Sequence, residues 1–431
     1  MIQKRCRASN GSGADCVTIC DSDVERDQSE SSVEPNRLVG RCRRIKLDLR
    51  EELCRIRIFF TAIGALLIGG RMQITVAKQA DRDVVISVLL VIIYLAFGNV
   101  GQSLAQSAVA SETKVKWPSE QFSRLNQIAN LQSLTVEFTQ DGGLSELIEF
   151  QNLNTLKVIA YNHVKDLSPL AKLTNLKVLE IKSSLATDLT PLAPLVNLEQ
   201  LTIVSSMARS IKPLAALTNL RMLNLRSNPI DSLLPIEGFS KLERLELISC
   251  QVADLTPIAN LRRLKILILT ENPVQDLRAL GGLSALVSIN LDATQVVDLT
   301  PLSDLKNLRF VSLDSSAIVD VGPLGKLENI YILRLKNTQI SDISPLAKLS
   351  TLRSLNLDMT HVEDLTPLIR LRHLSSLGLR GTPVADISPL ACLDGLKYLD
   401  LLDTKVDRAG YVQLKRFLPK TTIDYRPISR R

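Results

Sequence analysis

Histidine and tryptophan are nearly absent from this chain, and aromatic residues are few. Three of its 431 residues are histidine (His163, His361 and His373), one is tryptophan, and aromatics make up 4%. No histidine stands at metal-ligand spacing from a cysteine or from another histidine. No Gly-rich phosphate loop follows a strand pattern, and no serine sits in a nucleophile-elbow frame. Basic runs interleaved with aromatics, as single-stranded nucleic-acid binders use them, are missing too. The sequence therefore predicts no enzyme, no metal, no cofactor and no nucleic-acid partner.

Cysteine is scarce where a disulfide framework would need it. Cys6, Cys16, Cys20, Cys42 and Cys54 lie in the first 54 residues, and only Cys250 and Cys392 lie beyond them. Charge divides at a similar place. Residues 1–83 hold 15 Lys+Arg and 12 Asp+Glu, residues 84–110 hold none, and the remainder holds 37 and 33, a net of +4. Residues 111–431 are thus nearly balanced, despite a pI near 9.0.

The uncharged stretch carries the localisation reading. From Val84 to Gly98 the chain is apolar, it follows Lys78 and Arg82, and it leads to Ala108-Val109-Ala110. A charged flank, an apolar core and an A-x-A site are the parts of a secretory signal. Residues 84–110 are read as a signal peptide, or as a membrane anchor through 84–100 if uncleaved. The repeats that follow would then lie in the cell envelope, periplasmic or extracellular. Residues 1–83 read as an Arg/Cys-rich polar region, disordered or an over-long gene start with Met72 as the true initiator. If Met1 is the start, Ile58–Gly70 is a candidate first membrane segment, and a hairpin of the two would leave membrane-anchored repeats in the cytoplasm. Residues 111–121 read as a polar linker holding Trp117.

One interval governs everything after this. Asp or Ser recurs every 22 residues at 166, 188, 210, 232, 254, 276, 298, 320, 342, 364 and 386. A second column keeps the same beat at Ser184, Ser206, Asn228, Cys250, Asn272, Thr294, Ser316, Thr338, Thr360, Thr382 and Thr404. Around them runs a frame such as Leu349, Leu352, Leu355, Leu357, Thr360, Val362, Asp364, Leu365, Pro367 and Leu368. Alternation across Leu355-Asn356-Leu357 is the period of a half-buried strand. Leucines three apart suit a 3₁₀ turn, and proline suits its start. Copies of such a unit stack, because one alone cannot bury its leucines. Residues 122–165 read as N-terminal capping repeats with a shortened coil from Leu153 to Asp166. Residues 166–407 read as the regular repeats. Residues 408–431 read as a C-terminal cap with a helix over 411–418 and a last strand over 422–425.

This frame resembles the leucine-rich repeat family, from about Leu125 to the C-terminus. Its Asp-Leu/Ile-Ser/Thr-Pro-Leu ending looks most like the 22-residue internalin-type subclass of bacterial repeats. The resemblance implies an α/β repeat solenoid, a leucine-rich repeat horseshoe with a parallel concave β-sheet and short 3₁₀ or helical convex segments. It implies protein–protein interaction as the function. Internalin-type proteins that grip host receptors present many concave aromatics; here the strand positions offer only Phe310 and Tyr398, so host invasion is not implied. The repeats also resemble cytoplasmic phosphatase-regulating subunits, and a structural or adhesive envelope protein would look the same.

Both polar columns read first as structure. Asn228, Cys250, Asn272, Thr294, Thr338, Thr360 and Thr382 should point inward and satisfy backbone groups, while the recurring Asp caps the next turn. Partner information is left to the strand positions that alternate with the buried leucines. Two features stand out there. Ile248, Ile266 and Ile268 should form an exposed apolar spot. Asp292, Asp314 and Asp358 should form a carboxylate strip interrupted by Lys336 and flanked by Asn290, Ser312 and Asn356. Together these are the predicted ends of one surface for a protein ligand.

Overall fold

The computed structural model describes residues 113–117, 131–140 and 142–426. The N-terminal region 1–83, the leader or anchor at 84–110, most of the first capping repeat and residues 427–431 lie outside the described residues. Among the described residues, no helix is long and apolar enough to cross a membrane.

Fifteen strands, β1 (Thr113–Trp117) to β15 (Thr422–Asp424), form one open parallel sheet in sequence order. Among the described residues, each strand from the second to the thirteenth leads to a short 3₁₀ turn that brings the chain back beside the strand it left. From β4 (Val178–Lys182) to β14 (Tyr398–Asp400) the register advances by 22 residues per strand, as in Val178 beside Gln200 and Ser376 beside Tyr398. At ~4.8 Å per strand the sheet runs for roughly 70 Å. Leu349, Leu352, Leu357 and Leu368 are wholly buried, and their equivalents in every coil make one continuous core. Proline opens most of the turns, as Pro367 does in Thr366–Arg370, where its missing N–H has no partner to lose.

The turn entrances explain the Asp column. Asp298 Oδ1 accepts the Thr300 N–H at 2.8 Å, and Asp364 does the same for Thr366. These bonds hold the Asp166, Asp188, Asp254, Asp276, Asp298, Asp364 and Asp386 carboxyls below the usual carboxylate range, the Ser, Thr or Arg two residues on supplying the hydrogen bonds.

Three boundaries differ from the sequence reading. Residues Thr113–Trp117, expected as linker, form β1 and pair in parallel with β2 (Ser133–Phe138). Alternation in Thr-Lys-Val-Lys-Trp already has the period of a strand, but its charge masked it. The coil from Leu153 is not shortened: Thr155 lies beside Val178, an advance of 23. The extra residue falls in the turn after β3 (Thr155–Ile159), where Tyr161 and Asn162 take φ of 44° and 68°. The cap helix α1 (Arg408–Phe417) starts three residues before the expected position, because Asp407 caps it by accepting the Gly410 N–H at 2.7 Å.

Candidate interaction face

The inward column closes the exit from each strand in two ways. Asn228 and Asn272 bridge coils: Asn272 Oδ1 accepts the N–H groups of Cys250 and Val252, both at 3.0 Å, from the preceding coil. Its Nδ2 donates to Leu247 O, to Leu269 O at 2.9 Å and to Thr270 O at 3.1 Å. The threonine hydroxyls work within one coil, whereas Ser184 donates its hydroxyl to Ser206 of the next coil at 2.8 Å. Thr294, Thr338, Thr360 and Thr382 each donate to the carbonyl three residues earlier at 2.6 Å. Cys250 donates its thiol to Leu225 O, and burial pushes that thiol up to about 11. A third column precedes this one. Ser183, Ser205, Ser227, Ser249, Glu271, Ala293, Ser315, Asn337, Met359, Gly381 and Asp403 all have φ between 53° and 66°. Their varied side chains hid a shared left-handed backbone.

On the concave face, the carboxylate strip is not a row of free charges. Past each strand the N–H two residues on points back at the preceding coil, where the main chain has already turned away. If that coil carries Asp, its carboxylate receives the N–H: Asp292 from Asp314 at 2.8 Å, Asp314 from Lys336 at 2.8 Å, and Asp358 from Arg380 at 2.9 Å. If it does not, the middle strand residue of the same coil takes over. Asn224, Asn290, Asn356 and Asp400 accept from Arg226, Asp292, Asp358 and Leu402 in this way. Neither arrangement is present at Ile248 and Thr270.

Burial follows from this bracing. Asp314, Asn356 and Asp358 are each less than 10% exposed, and Ser312 is fully buried. Asp314 is also ion-paired with the buried Arg334 at 2.6 Å. Burial pushes the Asp314 carboxyl upward more strongly than Arg334 draws it down. Burial, helped by Asp400, pushes Asp358 up to about 6 against the pull of the Arg380 N–H. The apolar spot is corrected likewise. Ile266 is only 7% exposed, and Ile248 and Ile268 are half-buried on neighbouring coils. Asn290, Asp292 and Lys336 are half-buried too. An isolated sheet face leaves such side chains open, but the next coil at ~4.8 Å covers them.

Where the chain enters the strands, sequence reasoning missed an asparagine column. Asn175, Asn197, Asn219, Asn307 and Asn329 each donate Nδ2 to a carbonyl of the preceding coil at 2.8–3.0 Å. The Asn-Leu and Asn-Ile pairs that recur at these five positions are its signal. Of the three histidines, His361 and His373 are exposed and His163 is half-buried, and among the described residues no group of three His, Cys, Asp or Glu could hold a metal ion.

No family model and no curated protein matches the chain. Solved structures do. An internalin (inlF) of Listeria monocytogenes is 29% identical, covering 62% of this chain and 78% of its own, with a TM-score of 0.60. Internalin C2 (inlC2) of the same organism is 33% identical over 43% of this chain and 83% of its own, with a TM-score of 0.42. The chain is a leucine-rich repeat protein with internalin-type repeats. This leucine-rich repeat fold is shared more widely. A plant peptide hormone receptor, RGFR1, solved in complex with RGF2, is 18% identical over 70% of this chain, with a TM-score of 0.55. The chain spans about half of that receptor, 53% of its length.

Proposed function

We propose that this leucine-rich repeat protein is a non-enzymatic interaction module, exported to the cell envelope or beyond, that holds a protein ligand on its concave face. The observation that carries the reading is the unevenness of the repeat. Core, caps, inward column and entry asparagines recur with the 22-residue beat, and each has a hydrogen-bonding or packing task. The concave strand positions vary without rule, running Glu180, Thr202, Asn224, Glu246, Ile268, Asn290, Ser312 and Arg334. The RGFR1–RGF2 complex is an instance of this fold binding a peptide. Within the face, Ile248 and Ile268 supply apolar anchors, and Asp292 and Lys336 supply the charges at its rim. Asp314, Asn356 and Asp358 keep that rim in place. Export rests on residues 84–110, whose charged flank, apolar core and A-x-A site form a leader.

Ile248→Asp with Ile268→Asp is expected to abolish ligand capture from the envelope fraction while leaving the unfolding midpoint close to that of the wild type. Undiminished capture would remove the concave face from the function. Mass spectrometry of the native protein is expected to find a mature N-terminus just after Ala110, or after Ala105 at the second small-residue site Ser103-Leu104-Ala105. A chain that retains residues 84–110 would replace export with anchoring.

A further inference from the structure

The two long flanks of the C-terminal coils carry opposite charge. Along the flank where the chain leaves the strands, Asp298, Asp320, Asp342, Asp364 and Asp386 are exposed, one per coil. No Lys or Arg lies between the inward column and the Asp in any of these five coils. Each carboxylate is fixed by the N–H two residues on, so its position is set by the backbone. Val297 and Val319, both 57% exposed, stand beside the first two. On the opposite flank, where the chain returns to the strands, Lys326, Lys348 and Arg370 are exposed at one shared position of three successive coils. Arg353, Arg372 and Lys397 lie close to them along the same flank, also exposed, with Glu328 and Asp394 as the acids among them. The Arg353 guanidinium lies over the Tyr331 ring, 5.6 Å from its centroid, which fixes its direction. Among the described residues, no carboxylate lies within ion-pairing distance of any of these six cations.

We propose that these flanks are the two halves of a self-association surface, the acidic flank of one copy docking on the basic flank of a second copy of this chain. Complementary sign is the first argument. Matching pitch is the second: both rows are generated by the same 22-residue coil, so their charges recur at the same spacing and follow the same curve. Two copies in parallel orientation, related by sideways displacement, bring every coil opposite its equivalent. Carboxylate and cation then meet in the three successive coils of Asp320, Asp342 and Asp364, without the mismatch a partner of different period would accumulate. The contact joins unlike surfaces, so it is heterologous and open-ended, and it builds a lateral row instead of a closed dimer. The concave face is left open for ligand in every copy.

Sedimentation velocity on the full-length chain tests this. Association is expected at ~50 mM salt and is expected to weaken by ~10-fold or more at ~500 mM, where the screening length falls to a few ångströms. One variant carries Lys326→Glu, Lys348→Glu and Arg370→Glu, which breaks the basic flank. The other carries Asp320→Asn, Asp342→Asn and Asp364→Asn, which discharges the acidic flank but keeps an oxygen to accept each turn's N–H. Each variant alone is expected to stay monomeric with an unchanged circular dichroism spectrum. An equimolar mixture is expected to form a dimer and nothing larger, because one intact half of each kind remains. A wild type that stays monomeric at low salt, or variants that associate as the wild type does, would overturn the proposal. So would a monomeric wild type that binds dextran sulfate through Lys326, Lys348 and Arg370, since the flank would then be a polyanion site.

Discussion

Asn272→Ala tests how the coils are joined. The side chain carries a disproportionate share of the contact between its coil and the one before it. Its Oδ1 is the acceptor for two N–H groups, those of Cys250 and Val252, and no other bond satisfies either of them. Its Nδ2 reaches carbonyls on both coils. Alanine leaves two buried donors unpaired at ~1–3 kcal/mol each, so the variant should lose roughly 4 kcal/mol. Thr294→Ala removes one hydroxyl bond within a single coil and should cost only ~1 kcal/mol. Urea unfolding of the full chain measures both. In a solenoid stability is close to a sum of coil and interface contributions, so Asn272→Ala should also split the transition where Thr294→Ala only shifts it. Equal losses for the two variants, or a loss below ~1 kcal/mol for Asn272→Ala, would refute the idea that asparagine bridges coils where the threonine hydroxyls do not.

Three further outcomes follow from the same contacts. Gly381→Ala should cost ~1–2 kcal/mol by urea unfolding, because its φ of +66° is left-handed and an added Cβ would meet the Met359 sulfur. Asp314→Ala should cost ~3–5 kcal/mol, because it strands the Arg334 charge in a buried site. Asp358 binds its proton more tightly in the folded chain, with its carboxyl raised from 3.8 to about 6, so its contribution to stability falls as pH rises through that window. Asp358→Asn should therefore raise the unfolding midpoint above pH 6, by no more than ~3 kcal/mol in free energy, and change little below pH ~4. The turn-capping aspartates have the opposite sign, and the stability they contribute should fade as pH drops below ~4.

The repeat was legible because its constraint is local in sequence: Leu355, Leu357, Asp364 and Pro367 each act within one coil, and their equivalents recur. What escaped depends on the neighbour 22 residues away. Whether Asp358 is a free charge or a brace is decided by the Arg380 N–H, and whether Asn356 braces its own coil is decided by Lys336 in the preceding one. A column that constrains backbone instead of side chain escaped for another reason. Glu271, Ala293 and Met359 share a left-handed φ and nothing else. Asp314 and Asp358, expected as free concave charges, are buried braces of the backbone instead. Reversing Asp292, Asp314 and Asp358 together, which the strip suggests as a binding test, would unfold the face along with any ligand contact.

Ligand contact at the concave face is the central claim, and photo-crosslinking in the native cell tests it most directly. A photoreactive residue placed at Ile268 should yield a discrete protein adduct, and one placed at Val297 on the flank or at Ile148 near the N-terminal end should not yield that adduct. An adduct from those two positions and none from Ile268 would contradict the account.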